Sequence, residues 1–214
     1  LAQLDAAGLS YQVYQEPFTL RLGGQSFDPR QGGPMLPSGW DRNPGEGPDL
    51  HLVQLIGPTR AEWLEQLEKA GLAVVQYIPP FTYIVWGDPV TLNRATHTDF
   101  VRWSGDFAPA YRVLPRWRDL SPETVAASAL LYRGTDVDAA LHHLEKLGGH
   151  VTSHAALNDT FEIASLTIPG DRLQAAAHVP GVHSLQLEPA DGGLRGEMSN
   201  QVNVNNVDGQ QQAF

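Results

Sequence analysis

A repeat at an offset of 77 residues is the sequence feature that most constrains how this 214-residue chain can fold. The segment LEKAG at residues 67–71 returns as LEKLG at residues 144–148. Over residues 53–74 the same offset, without a gap, pairs identical residues at seven positions. These are Gly57 with Gly134, Leu64 with Leu141, Leu67 with Leu144, Glu68 with Glu145, Lys69 with Lys146, Gly71 with Gly148 and Val74 with Val151. Two copies are too few for a solenoid, so the repeat predicts a pair of small domains.

The first copy predicts the element order β-α-β-β-α-β. Thr59 followed three residues later by Glu62 matches a capping box, which marks the start of a helix. Gly71 marks the end of that helix, since glycine is common just after a last helical turn. The predicted strands are residues 51–56, 72–78, 82–86 and 100–103, and the predicted helices are residues 59–71 and 88–96.

The second copy predicts the same order. Apolar residues recur at helical spacing between Val137 and Leu147, and Asp136 and Asp138 suit a helix start. The predicted strands are residues 126–132, 150–155, 160–168 and 182–187, and the helices are residues 137–147 and 169–177. We therefore predict an α+β fold of two tandem ferredoxin-like sandwiches, each with four antiparallel strands and two helices on one face.

The remaining segments differ in composition from these units. Residues 1–49 are rich in Gly and Pro, which keep the backbone out of helices and sheets. We interpret them as an extended N-terminal arm that lies on a neighbouring part, anchored by Phe18, Phe27 and Trp40. The predicted organisation is the arm at 1–49, a first unit at 50–112, a linker at 113–123, a second unit at 124–189 and an extended tail at 190–214.

The composition opposes several classes of function. A net charge of -10 argues against a nucleic-acid partner, because binding to phosphates needs clustered Lys and Arg. The absence of cysteine excludes disulfides, Cys-type zinc sites and thiol catalysis. No apolar run approaches the roughly 18 residues of a membrane span, so we expect no membrane partner. The chain opens without a basic start or an apolar core, so we expect any signal peptide to lie outside it.

The histidines do not form a recognisable metal or catalytic motif. His150 and His154 fall on one face of a predicted strand, and His142 and His143 are adjacent on a helix and point in different directions. The chain contains no H-E-x-x-H, no G-x-S-x-G and no phosphate-binding glycine motif. We expect no metal, no cofactor and no catalytic activity in this chain.

Short segments along the chain occur in an order that matches a known family. In chain order they are FDP at 27–29, LVQLIGP at 52–58, WL at 63–64, Gly71, YIP at 77–79, YIV at 83–85, VRWSG at 101–105, PAY at 109–111 and GEMSNQVN at 196–203. Together they resemble the propeptides of a bacterial subset of subtilisin-like serine proteases, and the last segment is similar to the one that precedes their catalytic domain. The resemblance spans nearly the whole chain.

The resemblance implies a propeptide without its enzyme. Propeptides of this class are ferredoxin-like intramolecular chaperones that remain as inhibitors of the protease domain, and the outer face of the sheet packs on two helices of the enzyme. The protease signatures H-G-T-H and G-T-S-M-A-x-P are absent from this chain. The resemblance therefore implies a precursor that is a subtilisin-like serine endopeptidase, with the cognate catalytic domain as partner in cis or after autoprocessing. It also implies a secreted protein, extracellular or periplasmic.

The resemblance also implies a site at the end of the chain. The last residues of such propeptides lie in the substrate cleft as an extended strand. Phe214 would then fill the primary specificity pocket, and Ala213, Gln212 and Gln211 would fill the next subsites. The simplest subtilases carry a single propeptide unit, so the tandem arrangement leaves open which unit covers the protease.

Two alternatives remain at this stage. A ligand-sensing regulatory module of paired ferredoxin-like domains needs a Gly-rich loop after the first strand, and residues 57–59 and 134–135 are weak versions of one. An RNA-binding sheet needs stacking aromatic residues with basic neighbours. Tyr77 and Tyr83 supply the aromatic rings, but the net charge opposes this function.

Overall fold

The computed structural model describes residues 16–43 and 47–188. Within them the chain has an α+β architecture in which every sheet is antiparallel. The strands are β1 (Leu20–Leu22), β2 (Gln25–Phe27), β3 (Asp49–Leu55), β4 (Ala73–Ile78), β5 (Thr82–Gly87), β6 (Val101–Asp106), β7 (Thr124–Tyr132), β8 (His150–Ala156), β9 (Phe161–Pro169) and β10 (Val182–Leu187). The α-helices are α1 (Ala61–Lys69), α2 (Pro89–Ala95), α3 (Pro109–Arg112), α4 (Val137–Lys146) and α5 (Leu173–Ala177), and short 3-10 turns lie at Pro115–Trp117 and Gly170–Arg172.

The first unit, from β3 to β6, is a four-stranded sheet with strand order β4-β5-β3-β6. Helices α1 and α2 cover one face of it. Apolar residues at helical spacing place one stripe of each helix against the alternate residues of the strands. The core between them contains Val53, Leu55, Leu67, Leu72, Tyr83, Val85, Ala95 and Phe100. We call the opposite face, away from the helices, the outer face of the sheet.

The second unit, from β7 to β10, is a four-stranded sheet with strand order β10-β7-β9-β8. Helices α4 and α5 cover one face of it through Leu141, Leu144 and Leu173. Small residues of the central strands face these helices, among them Ala127, Ala129 and Ala164. Because alanine has a short side chain, the helices can pack closely on the sheet.

The N-terminal arm contains a β-hairpin that the sequence analysis did not predict. Strands β1 and β2 pair from Leu20 with Phe27 to Leu22 with Gln25. Gly23 and Gly24 form the turn with φ values of +59° and +81°. Two successive positive φ values are those of a type I′ turn, for which Gly-Gly is a favoured sequence. The prediction that Gly and Pro keep all of residues 1–49 out of sheets was wrong for this stretch.

The arm contacts both units through aromatic side chains. The ring of Phe18 lies 5.9 Å from that of Phe81, and the ring of Phe27 stacks at 6.4 Å on Tyr111. Trp40 is buried in the core of the second unit. The three aromatic residues expected to anchor the arm therefore lie at its contacts with the rest of the chain.

Helices α2 and α4 begin at an acidic residue whose side chain caps them, whereas α1 does not. Asp88 accepts a hydrogen bond from the backbone N–H of Thr91, and Asp136 accepts one from that of Ala139. Helix α1 begins instead after Arg60, without a side-chain cap. The hydroxyl of Thr59 is hydrogen-bonded to the hydroxyl of Tyr83 at 2.9 Å. The prediction of a capping box at Thr59 was wrong, because this tertiary contact occupies its side chain.

In the second sheet, two β-bulges change which face some residues occupy. In β8 the register shifts between Val151 and Ser153, so His150 pairs with Thr167 while His154 pairs with Ala164. Ala164 belongs to the helix-facing core, so the two histidines lie on opposite faces. The expectation that they share one face was wrong, since a bulge adds one residue to the two-residue period.

A similar shift in β10 follows Val182 and puts it on the same side of the sheet as Leu185.

Between residues 16 and 188, leaving aside 44–46, no helix of the structure is long and apolar enough to cross a membrane.

Candidate functional site

The site residues expected from the resemblance, Gln211, Gln212, Ala213 and Phe214, lie outside the described residues. The described part of the chain ends at Glu188, directly after β10. β10 is an edge strand of the second sheet. A segment that continues from residue 188 therefore starts beside this sheet, and the candidate site is built from the sheet faces near it.

The outer face of the first sheet is covered by the rest of the chain. Its central residues Leu50, Leu52 and Ile84 are 0%, 0% and 1% exposed. They form an apolar cluster with Phe107. Residues packed around this cluster come from the arm, from the first sheet, from the connection between the units and from the second unit, and include Leu22, Trp86, Trp103, Tyr111 and Tyr132. Little of this face is free to contact a partner.

A polar network fastens the arm to the same face. Arg102 donates to both carboxylate oxygens of Asp28 at 2.7 and 2.8 Å, and to the side-chain oxygen of Gln54 at 2.6 Å. The amide of Gln54 donates in turn to the backbone oxygen of Phe18 and to the hydroxyl of Thr82. The Arg102 guanidinium holds the pKa of Asp28 below its usual value. The pair therefore stays ionised at neutral pH.

A groove of about 590 Å³ lies beside this network. It is lined mainly by residues of the arm, including Phe18 and Asp28, and by Arg102. The guanidinium of Arg102 lies 4.2 Å from the centre of the Phe18 ring. Since Arg102 is already bound by a carboxylate and stacked on a ring, its groups stabilise the contact between arm and sheet.

The two units contact each other through aromatic rings. Trp86 of β5 lies 5.6 Å from Tyr132 of β7, between ring centres. His183 of β10 lies 5.4 Å from Phe107 and 4.9 Å from Phe161. We call this contact the junction. An isolated parallel bridge between Val113 and Leu185 adds a backbone connection at the edge of the second sheet.

A buried ion pair lies behind the junction. Arg112 is 1% exposed and donates to Asp49 Oδ1 at 3.1 Å and to Asn43 Oδ1 at 3.0 Å. It also donates from two nitrogens to the backbone oxygen of Phe107. Burial lowers the pKa of Arg112, and the charge of Asp49 opposes this effect. The pair joins the last residues of the arm to β3 and α3.

The outer face of the second sheet is open except at the end where Tyr132 and Phe161 lie in the junction. Four side chains cross it in one row, with Ser184 beside Leu130, Leu130 beside Ile163 and Ile163 beside Ala155. The next row is Gln186, Ser128, Ser165 and Ser153. Ile163 is 38% exposed. The equivalent residue of the first sheet is Ile84, which pairs with Leu52 as Ile163 pairs with Leu130, and Ile84 is buried. We call these two rows the open face.

The open face consists of uncharged side chains. Five of the eight are Ser or Ala, and the first row is mostly apolar while the second is uncharged and polar. Short side chains leave a flat surface that a helix can approach closely, with Leu130 and Ile163 as apolar contacts. The sequence contained a signal for this difference. The run LHLVQLI at residues 50–56 has apolar residues on both faces, whereas AASALLY at 126–132 has small or polar residues at alternate positions.

The other residues considered from the sequence do not assemble into a chemical site. Tyr83 packs in the helix-facing core, and Tyr77 lies 5.1 Å from it between ring centres. This position differs from the open sheet surface that RNA-binding domains use. Across the residues that the structure describes, no group of three or more His, Cys, Asp or Glu is arranged to hold a metal ion.

Comparison with known proteins places part of the chain near a domain family. A family model described as "Domain of unknown function (DUF8729)" matches residues 21–108. No curated protein matches the chain. The crystal structure of an unknown protein from Galdieria sulphuraria is similar with 14% identity and a TM-score of 0.23, over 66% of this chain and 98% of that one. The chain is thus similar, from β1 to just after β6, to a domain family whose function is unknown.

Proposed function

We propose that this chain is the propeptide of a secreted subtilisin-like serine endopeptidase, and that it acts as intramolecular chaperone and inhibitor of the protease domain. We further propose that its two units are tandem ferredoxin-like sandwiches. In support of this, the fourth strand of each unit lies beside the first and the second strand lies at the far edge. Two helices cover one face of each sheet, in the order β-α-β-β-α-β.

The observation that carries the functional proposal is the contrast between the two outer faces. A propeptide of this class needs a free sheet face to pack on the enzyme and a tail that follows it. The outer face of the first sheet is covered by the arm and by Tyr132, while the open face of the second sheet is free and precedes the tail. We therefore assign the contact with the protease to the second unit.

The first unit has a different role in this proposal. Its covered face holds the arm, and its junction with the second unit supports β10 from one side. It acts as a platform that orients the second unit. Under this proposal the second unit covers the protease, and the first unit does not.

The length of the tail is compatible with a substrate-like position. Phe214 lies 26 residues after Glu188, the last described residue, and an extended chain spans roughly 3.3 Å per residue. Such a segment can reach roughly 85 Å, well beyond the size of the second sheet. The expected cleft residues Gln211, Gln212, Ala213 and Phe214 would therefore reach a cleft beside the open face.

Inhibition of the cognate protease by the full chain tests both parts of the proposal. We expect Ile163→Arg to weaken inhibition at least tenfold, because it places a charge in the centre of the open face. Leu157→Arg is the matched control, since Leu157 is an exposed residue of the same unit outside the open face. Deletion of residues 211–214 is expected to weaken inhibition whether or not the open face carries a substitution.

Three outcomes would contradict the proposal. Equal inhibition by Ile163→Arg and Leu157→Arg would remove the assignment to the open face. Full inhibition after deletion of residues 211–214 would remove the substrate-like tail. A shift in melting temperature by free amino acids, together with no inhibition of the protease, would favour the ligand-sensing alternative.

A further inference from the structure

His183 occupies an unusual position for a titratable side chain. It lies on the edge strand β10 at the junction, between the rings of Phe107 and Phe161. Both of its ring nitrogens are buried and have no hydrogen-bond partner. A neutral imidazole normally satisfies at least one of its nitrogens when it is buried, so the site does not stabilise either form by hydrogen bonding.

The charge that acts on His183 is that of Arg112, and it is positive. Arg112 of α3 lies behind Phe107, and its guanidinium is 5.6 Å from the centre of that ring. Asp49 of β3 accepts a hydrogen bond from Arg112, and Asp106 of β6 lies near the same group. The rings on either side of His183, from Phe107 and Phe161, carry no charge. A proton on His183 would therefore be buried without an acceptor and would be repelled by Arg112.

The second buried histidine of this region differs in its surroundings. His51 of β3 is 3% exposed, and its Nδ1 lies 3.3 Å from Asp106 Oδ1, without the geometry of a hydrogen bond. The interaction with His51 holds the pKa of Asp106 below its usual value, despite partial burial. A proton on His51 would therefore face a carboxylate. Among the described residues His183 has no such carboxylate beside it, so its surroundings oppose protonation.

We propose that the junction is an acid-sensitive joint, in which protonation of His183 separates the second unit from the first. In the closed joint His183 is neutral and packed between the two phenylalanine rings. When the joint opens, the imidazole reaches water and takes up a proton, which disfavours its return. Each unit has its own core between sheet and helices, so neither sheet has to come apart. The second core also contains Trp40, Ala110 and Val113 from outside its unit, and these residues become exposed when the joint opens.

Burial and the charge of Arg112 lower the pKa of His183 to about 4 in the closed joint. In water the imidazole has its ordinary value of 6.5. The closed joint is thus fully stable above pH 6.5, loses stability as pH falls from 6.5 to about 4, and changes little below that pH. Between pH 7.5 and 4.5 the opening equilibrium is expected to rise on the order of 100-fold.

A buried thiol at the junction can report the opening directly, since the chain contains no cysteine. Val113→Cys places the thiol beside β10 at a position that is 2% exposed. Its labelling by 4,4′-dithiodipyridine, which reacts with thiols in acid, is compared with that of the same variant carrying His183→Phe. The comparison at each pH cancels the pH dependence of the thiol itself. Ala95→Cys, buried in the core of the first unit, is the matched control.

We expect labelling at position 113 to rise on the order of 100-fold from pH 7.5 to 4.5, relative to the His183→Phe background. Labelling at position 95 is expected to show no such rise. Equal acceleration with and without His183→Phe would overturn the proposal. Equal acceleration at positions 95 and 113 would also overturn it, because acid would then unfold the first unit rather than open the joint. If His183→Phe does not fold, the titration of His183 by NMR in the unmodified chain decides, and a pKa near 6.5 would refute the proposal.

Discussion

Arg102 donates two hydrogen bonds to Asp28, which lies 74 positions earlier in the chain, at 2.7 and 2.8 Å. This bidentate pair is 12% and 14% exposed and joins the arm to β6. Two parallel N–H···O bonds in a partly buried position are stronger than the usual surface pair. The stretch of the arm around Asp28 is therefore part of the folded first unit.

Arg102→Ala is expected to destabilise the chain by about 2 kcal/mol, because it leaves the Asp28 carboxylate partly buried without its partner. The free energy of unfolding in urea measures this effect. A double-mutant cycle with Asp28→Ala should show a coupling of about 1 kcal/mol or more. Arg42→Ala is the control, since the pair of Arg42 with Asp41 is exposed and should contribute almost nothing. Equal effects of the two arginine variants would contradict the prediction.

Arg112→Ala is expected to cost about 3 to 5 kcal/mol, because Asp49 would remain buried as an unpaired charge. Arg112→Lys should recover only part of this loss, since lysine cannot donate to Asp49, Asn43 and Phe107 in the same fork geometry. Melting temperatures measured by calorimetry should be highest for the wild type, lower for Arg112→Lys and lowest for Arg112→Ala. A loss below about 0.5 kcal/mol for the alanine variant would show that the buried pair does not support the fold.

Trp40→Ala is expected to destabilise the second unit by about 3 kcal/mol, although residue 40 belongs to the arm. Trp40 is 4% exposed and packs in the core formed by β7, β9, α4 and α5. Met35→Ala, at an almost fully exposed position of the same arm, should change stability little. Hydrogen exchange of the β7 and β9 amides would locate the effect. Unchanged protection in those strands would mean that the Trp40 side chain is dispensable there.

The pH dependence of stability should carry the signature of His183. A histidine whose pKa is lowered to about 4 in the folded chain binds fewer protons than in the unfolded chain, so stability is lost as pH falls from 6.5 to about 4. The contribution is at most roughly 3 kcal/mol. Urea unfolding at pH 7 and pH 4 should show a smaller loss for His183→Phe than for His142→Phe. His142 is exposed on α4 and serves as the matched histidine. Losses of the same size in both variants would show that His183 is not responsible.

Much of the secondary structure could be predicted from local patterns. Helices α1 and α4 follow a stripe of apolar residues and end before Gly71 and Gly148, as the repeat indicated. The short-range hydrogen bonds at Asp88 and Asp136 are also local, so the sequence predicts them well. The hairpin at Gly23 and Gly24 was missed because glycine pairs mark both loops and tight turns.

The repeat itself needs a correction in its first strand. The offset of 77 residues pairs Val53 with Leu130, yet Val53 faces the helices and Leu130 faces the open side. The identities from Gly57 onward are unaffected, because the helices and the strands after them occupy equivalent places. A shift of one residue in a strand reverses the face of every side chain, so identity in sequence does not ensure identity of face.

The sequence by itself determined the two copies, their helical stripes and most of their strand positions, since these depend on neighbours a few residues apart. The tertiary structure decided which sheet face is open. That outcome depends on where the arm, Tyr132 and the polar network of Arg102 pack, and these contacts join residues as many as 74 positions apart. It also decided the surroundings of His183, because the packing of the two units brings β10 against Phe107 and near the charge of Arg112. Burial and charge at a junction arise from several distant segments together, so no local pattern of residues encodes them.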